Sequence, residues 1–221
     1  MSINGHSILC TRLSHISADN PVIPRVLGLY AAAVALSDEP ALTAAVEVGR
    51  NRAVKRTAFY ELTLQSYLFL GFPRMLIAME HLARIWPESN ETSEPSRIDA
   101  LEVSNWFARG LTLCTAVYGD AFEPLKAKVL KMSPEAFQWM IVEGYGKVLS
   151  RPGLGRVERE LGNVAFLMVE NCESQLHSHM RGALRVGTSP ELLKTVIDDV
   201  GEAAGDGFLA ARTLLARIGI D

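Results

Sequence analysis

The sequence is poor in cysteine. Cys10, Cys114 and Cys172 are the only three in 221 residues, and no two form a CxxC pair. An odd, widely spaced set argues against a disulfide framework and against a cysteine-rich zinc centre. It suits a reducing compartment. An excess of one charge is lacking too: 22 basic residues face 25 acidic ones, for a net charge of −3. A nucleic-acid partner would call for a basic patch. Long apolar runs are also missing. The longest, Val26 to Leu36, has 11 residues, too few to span a bilayer as a helix. Met1 to His6 offers neither the basic nor the apolar region of a signal peptide. The expectation is a protein of the cytoplasm, with no nucleic-acid and no membrane partner.

No hairpin or strand-pair pattern is found. What is present is helical punctuation. Hydrophobic residues make up 48% of the chain, enough to bury a sizeable core. Val26 to Leu36, rich in Ala and Leu, predicts a buried helix. A short helix over Ala41 to Val48 is expected to stop at Gly49. Thr57 to Leu70 and Met75 to Ile85 read as helices on either side of a Gly71-Phe72-Pro73 break. Ile98 to Tyr118 has helical periodicity. Ser133-Pro134-Glu135 is a helix start, with a serine cap, proline at the first position and an acid in the first turn. Val157 to Leu167 and a second helix ending near Val186 follow. Thr188 to Glu191 fits a capping box. The fold class is therefore all-α.

A weak internal repeat is visible. Ala44 to Gly49 resembles Gly182 to Gly187, Gly71-Phe72 resembles Gly207-Phe208, and Leu-Ala-Arg-Ile closes both segments, at Leu82 to Ile85 and at Leu215 to Ile218. The predicted organisation is an N-terminal extension over 1–22, a first repeat over 23–87, a linker with intervening helices over 88–155 and a second repeat over 156–221.

Chemistry concentrates in the second repeat. On a helix, Cys172, Gln175 and His179 share one stripe, because steps of three and seven residues return close to the starting direction. His177 points elsewhere, so a metal site from Cys172, His177 and His179 is disfavoured. With Asn171 as the cap, Cys172 falls in the first turn, where the macrodipole favours a thiolate and Glu170 and Glu173 oppose it. A break near Asn171 lets Glu160 fold back from the preceding helix towards the stripe. A lone cysteine beside Leu167, Val169 and Leu176 also reads as a small core residue, and a lone histidine as a structural one.

Three stretches carry a resemblance: Tyr145 to Leu154, Glu158 to Leu161, and Gln175 to Thr188. Together they resemble the carboxymuconolactone decarboxylase family, which belongs to the AhpD-like superfamily of all-helical oligomers. The resemblance implies an AhpD-like helical bundle, internally duplicated, with a small-molecule substrate, no cofactor and no metal. It also implies a homo-oligomer, trimeric or other. Members of AhpD type have a Glu, a CxxC pair and a His, which fall here on Glu160, Cys172 and His179. Gln175 stands in place of the second cysteine, as in the decarboxylase branch. Disulfide turnover within the motif needs two thiols. In the first repeat the corresponding positions are taken as Val34, Ser37 and Ala41.

Three functional readings follow. One is decarboxylation of a small carboxylated lactone, with His179 moving the proton, Glu160 orienting it and Gln175 holding the substrate. A second is a thiol-dependent peroxidase working through Cys172. The third is a helical oligomer that has lost activity.

Overall fold

The most apolar run of the chain forms a helix with no outward face. In a computed structural model, which describes residues 7–17, 21–87 and 100–220, α2 (Val22–Leu36) is buried at every position from Val26 to Ala35. A helix that is apolar all round belongs in the middle of a core. It is preceded by α1 (Ile8–Ser14) and followed by α3 (Glu39–Asn51). Asp38 caps α3 by accepting from the Ala41 N–H at 3.1 Å. Gly49 lies inside α3 rather than beyond it, and the Phe59 ring fills the space a side chain there would need. Among the described residues all regular structure is helical.

The long run Arg56–Ile85 is divided at Gly71, whose φ of 76° is left-handed, with Pro73 just beyond. We call its halves α4 (56–70) and α5 (72–85). By length and composition this run would suit a membrane span. The division leaves each half too short for one, and α4 buries Glu61 and Gln65 on its inner side.

The chain separates into two units. One comprises residues 88–152. There α6 (Ala100–Tyr118) crosses a π-helical stretch, Met140–Leu149. The crossing needs two glycines: a side chain at Gly110 would overlap the Ile141 carbonyl, and one at Gly146 the Trp106 carbonyl. Between them run α7 (Phe122–Met132) and α8 (Pro134–Trp139). Ser133 caps α8 by accepting from the Ala136 N–H, as its sequence predicts.

The other unit holds residues 1–87 and 153–221. It adds α9 (Arg156–Val169), α10 (Glu173–Arg185), α11 (Pro190–Val200) and α12 (Asp206–Arg217). Two helix starts differ from expectation. Cys172, not Asn171, is the cap of α10, because Asn171 adopts a left-handed φ of 50° to turn the chain. Ser189, not Thr188, caps α11, so Glu191 is one place too early to close a capping box. The Thr188 hydroxyl is buried and has no hydrogen-bond partner among the described residues.

Helices α2 and α9 pack against each other, and their contacts come in exchanged pairs. Gly28 of α2 faces Val196 of α11, while Gly162 of α9 faces Leu62 of α4. Arg25 of α2 pairs with Asp199 of α11, while Arg159 of α9 donates to Gln65 of α4. One constant sequence offset relates 28 to 162, 62 to 196, 25 to 159 and 65 to 199. The same offset relates the left-handed residues Ser37 and Asn171, Ala53 and Gly187, and Gly71 and Gly205. In this register Cys172, Gln175 and His179 correspond to Asp38, Ala41 and Ala45. This spacing sets the three residues against positions four further along than Val34, Ser37 and Ala41, about one helical turn. A one-turn slip keeps the apolar face almost in phase, so periodicity does not detect it.

Candidate functional site

His179 sits in the second turn of α10 and is 7% exposed. The left-handed turn at Asn171 brings α10 back along α9, so His179 meets Glu160, one turn into α9. Their side chains stand 2.8 Å apart, from Nδ1 to Oε2, and Glu160 is 3% exposed. A carboxylate only accepts, so Nδ1 carries the hydrogen and Nε2 is the nitrogen left for chemistry. Nε2 has no partner among the described residues. The Phe69 and His179 rings meet edge to face, with centroids 5.6 Å apart.

Behind this pair runs a buried polar network joining α9 to α4. Asn163 donates to Glu160 Oε1 at 3.3 Å. Gln65 Nε2 donates to Asn163 Oδ1 at 2.7 Å and to the Arg159 carbonyl at 2.9 Å. Arg159 donates to Gln65 Oε1 at 3.0 Å and to Glu61 Oε2 at 2.9 Å. Asn163 and Gln65 are fully buried, and Arg159 and Glu61 nearly so. Burial of so many polar groups is costly unless each is hydrogen-bonded.

The other predicted residues lie elsewhere on the helix. Cys172 is exposed at the cap position, and its thiol points at the Glu170 carbonyl, 3.6 Å away. Gln175 is exposed one turn before His179. The stripe thus runs from an exposed end at Cys172 into a buried end at His179. His177 turns away, into an open groove lined by Glu173, Ser174, Ser178, Leu214 and Arg217. Among the described residues no group of three or more His, Cys, Asp or Glu side chains could hold a metal ion.

The carboxymuconolactone decarboxylase family profile matches residues 135–217. The 4-carboxymuconolactone decarboxylase of Acinetobacter baylyi is 32% identical over 92 residues, which cover 41% of this chain and 69% of that protein. The chain belongs to the carboxymuconolactone decarboxylase family. The matched region includes both Glu160 and His179.

Glu61, Gln65, Arg159 and Asn163 were not singled out in the sequence. A signal was present. Arg159 and Asn163 are four apart on α9, Glu61 and Gln65 four apart on α4, and each pair interrupts an otherwise apolar face. Such a stripe on a core helix calls for a polar partner on its neighbour.

Proposed function

We propose that the protein is an acid–base decarboxylase acting on a small carboxylated lactone or a related acid. The observation that carries this reading is the buried Glu160–His179 pair, with Nδ1 committed to the carboxylate and Nε2 without a partner among the described residues. Family membership and the Acinetobacter relative support it.

In such a reaction the bond to the carboxylate carbon breaks and carbon dioxide leaves. The electron pair passes into a conjugated dienolate, which is then protonated on carbon. His179 delivers that proton from Nε2 and recovers one from solvent. Glu160 holds the ring in place and stabilises its protonated form through Nδ1–H, as a carboxylate does for a catalytic imidazole. Gln175, one turn towards the exposed end of the stripe, hydrogen-bonds the substrate as it enters.

The peroxidase reading lacks a second thiol in the stripe, because Gln175 stands where one would be. The test is release of carbon dioxide from 4-carboxymuconolactone by the purified protein. Replacing His179 by Ala should lower kcat by about a hundredfold or more, the usual contribution of a positioned acid or base. Equal rates for the two proteins would reject the assignment.

A further inference from the structure

We propose that Gln65, supplied by the first of two diverged copies of one helical motif, is a positioning residue for the Glu160–His179 pair.

The argument begins with hydrogen-bond polarity. A guanidinium can only donate. Arg159 therefore faces the oxygen of the Gln65 amide, 3.0 Å away, and turns the Gln65 NH2 towards Asn163 Oδ1 at 2.7 Å. That contact turns the Asn163 NH2 towards Glu160 Oε1 at 3.3 Å. Glu160, with one oxygen occupied by Asn163, accepts from His179 Nδ1 with the other at 2.8 Å. Each amide has two orientations in isolation, and here only one satisfies the chain. Glu61 anchors the far end by pairing with Arg159. The direction of every donor, from a buried cation to the imidazole, is thus set through Gln65. Both amides are hydrogen-bonded at oxygen and at nitrogen, and amides bonded in that way specify one arrangement.

The exchanged contacts show which half supplies what. The counterpart of Gln65 under the repeat offset is Asp199, which engages Arg25 bidentately at 2.6 and 2.8 Å. The counterparts of Glu160, Asn163 and His179 are Val26, Leu29 and Ala45, all buried and apolar. So the Arg25–Asp199 contact leads to no acid–base pair, while the Arg159–Gln65 contact leads to one. Each half lends its polar residue to the other half's arginine, and one of the two resulting networks ends on a histidine.

This inference rests on the reading of Glu160 and His179 as an acid–base pair. Its test uses two readouts on the full-length protein. The first is the downfield proton resonance of the His179 Nδ1–H bonded to Glu160, assigned by its loss in His179→Ala. The second is kcat for decarboxylation. In Gln65→Leu, and separately in Gln65→Glu, which cannot donate to Asn163 while ionised, the resonance should be lost to exchange. kcat should fall about tenfold to a hundredfold with KM changed less, the scale of a misplaced catalytic group. Asp199→Asn, which disturbs the mirrored contact, should leave both readouts as in the wild type even where it lowers the melting temperature. If folded Gln65→Leu or Gln65→Glu retains the resonance and kcat, Gln65 is structural and the proposal fails while the function stands. Should the wild type show no decarboxylation, yet Gln65→Glu lose the resonance, the positioning role holds and the reaction assignment falls. Should neither Gln65 variant fold, Asn163→Leu carries the same expectation, and an unchanged resonance there overturns the proposal.

Discussion

Glu160 Oε2 stands 2.8 Å from His179 Nδ1, on consecutive helices joined through a left-handed asparagine. The turn at Asn171 is what makes the contact. It folds α10 back on α9 so that residues 19 apart in sequence become hydrogen-bonded partners. A histidine held in this way has its proton placement decided by its partner, which leaves one nitrogen for a substrate.

The close approach of α2 to α11 predicts a packing penalty. A methyl at Gly28 would lie 2.7 Å from Val196 Cγ1, and a β-branched side chain cannot rotate freely out of the way. Gly28→Ala should cost about 1–3 kcal/mol from overpacking, offset by about 1 kcal/mol of helix propensity. Urea unfolding should show a net loss, with recovery in the Gly28→Ala, Val196→Ala double variant. A more stable single variant would contradict this packing.

His81 predicts the acid limb of stability. It is buried, with Nε2 2.9 Å from Thr43 Oγ1 and Nδ1 2.8 Å from the Arg84 guanidinium. Burial, and then the Arg84 charge, hold its pKa below the ordinary 6.5, against an opposing pull from Glu39. The unfolded chain therefore binds the proton more readily than the folded one. Its contribution to stability is full above 6.5 and is lost as pH falls below that value. His81→Gln should flatten the stability profile between neutral pH and pH 5, losing up to about one proton of slope. An unchanged slope would show that His81 does not titrate differently on folding.

Cys172 separates the decarboxylase from the peroxidase reading. It is exposed, and its thiol is turned to a backbone carbonyl. Cys172→Ser should keep kcat/KM for decarboxylation within about twofold, as for an ordinary surface substitution. A hundredfold loss would make the thiol part of the chemistry.

Much of the helical framework is legible in the sequence because its signals are local. The cap at Ser133, the break at Gly71 and the apolar run of α2 from Val26 to Ala35 each follow from a few adjacent residues. Boundaries slipped where two neighbouring residues are both good caps, as at Thr188 and Ser189, or where an asparagine takes the left-handed position in place of a cap. The pair Glu160 and His179 was legible through helical phase and the resemblance. Glu61 and Gln65 were not, because their partner Arg159 lies 98 and 94 residues away. Only the packing of α4 on α9 brings them together. The left-handed residues recur at one constant offset, which differs by about a helical turn from the spacing of the Ala44–Gly49 and Gly182–Gly187 likeness.

The most direct measurement is a double-variant comparison of carbon dioxide release from 4-carboxymuconolactone. Glu160→Gln and His179→Ala are assayed singly and together against the wild type. If Glu160 acts only through His179, the double variant is no slower than His179→Ala alone, as for residues that work as a unit. Losses that multiply independently, or a wild type without turnover, would contradict the account.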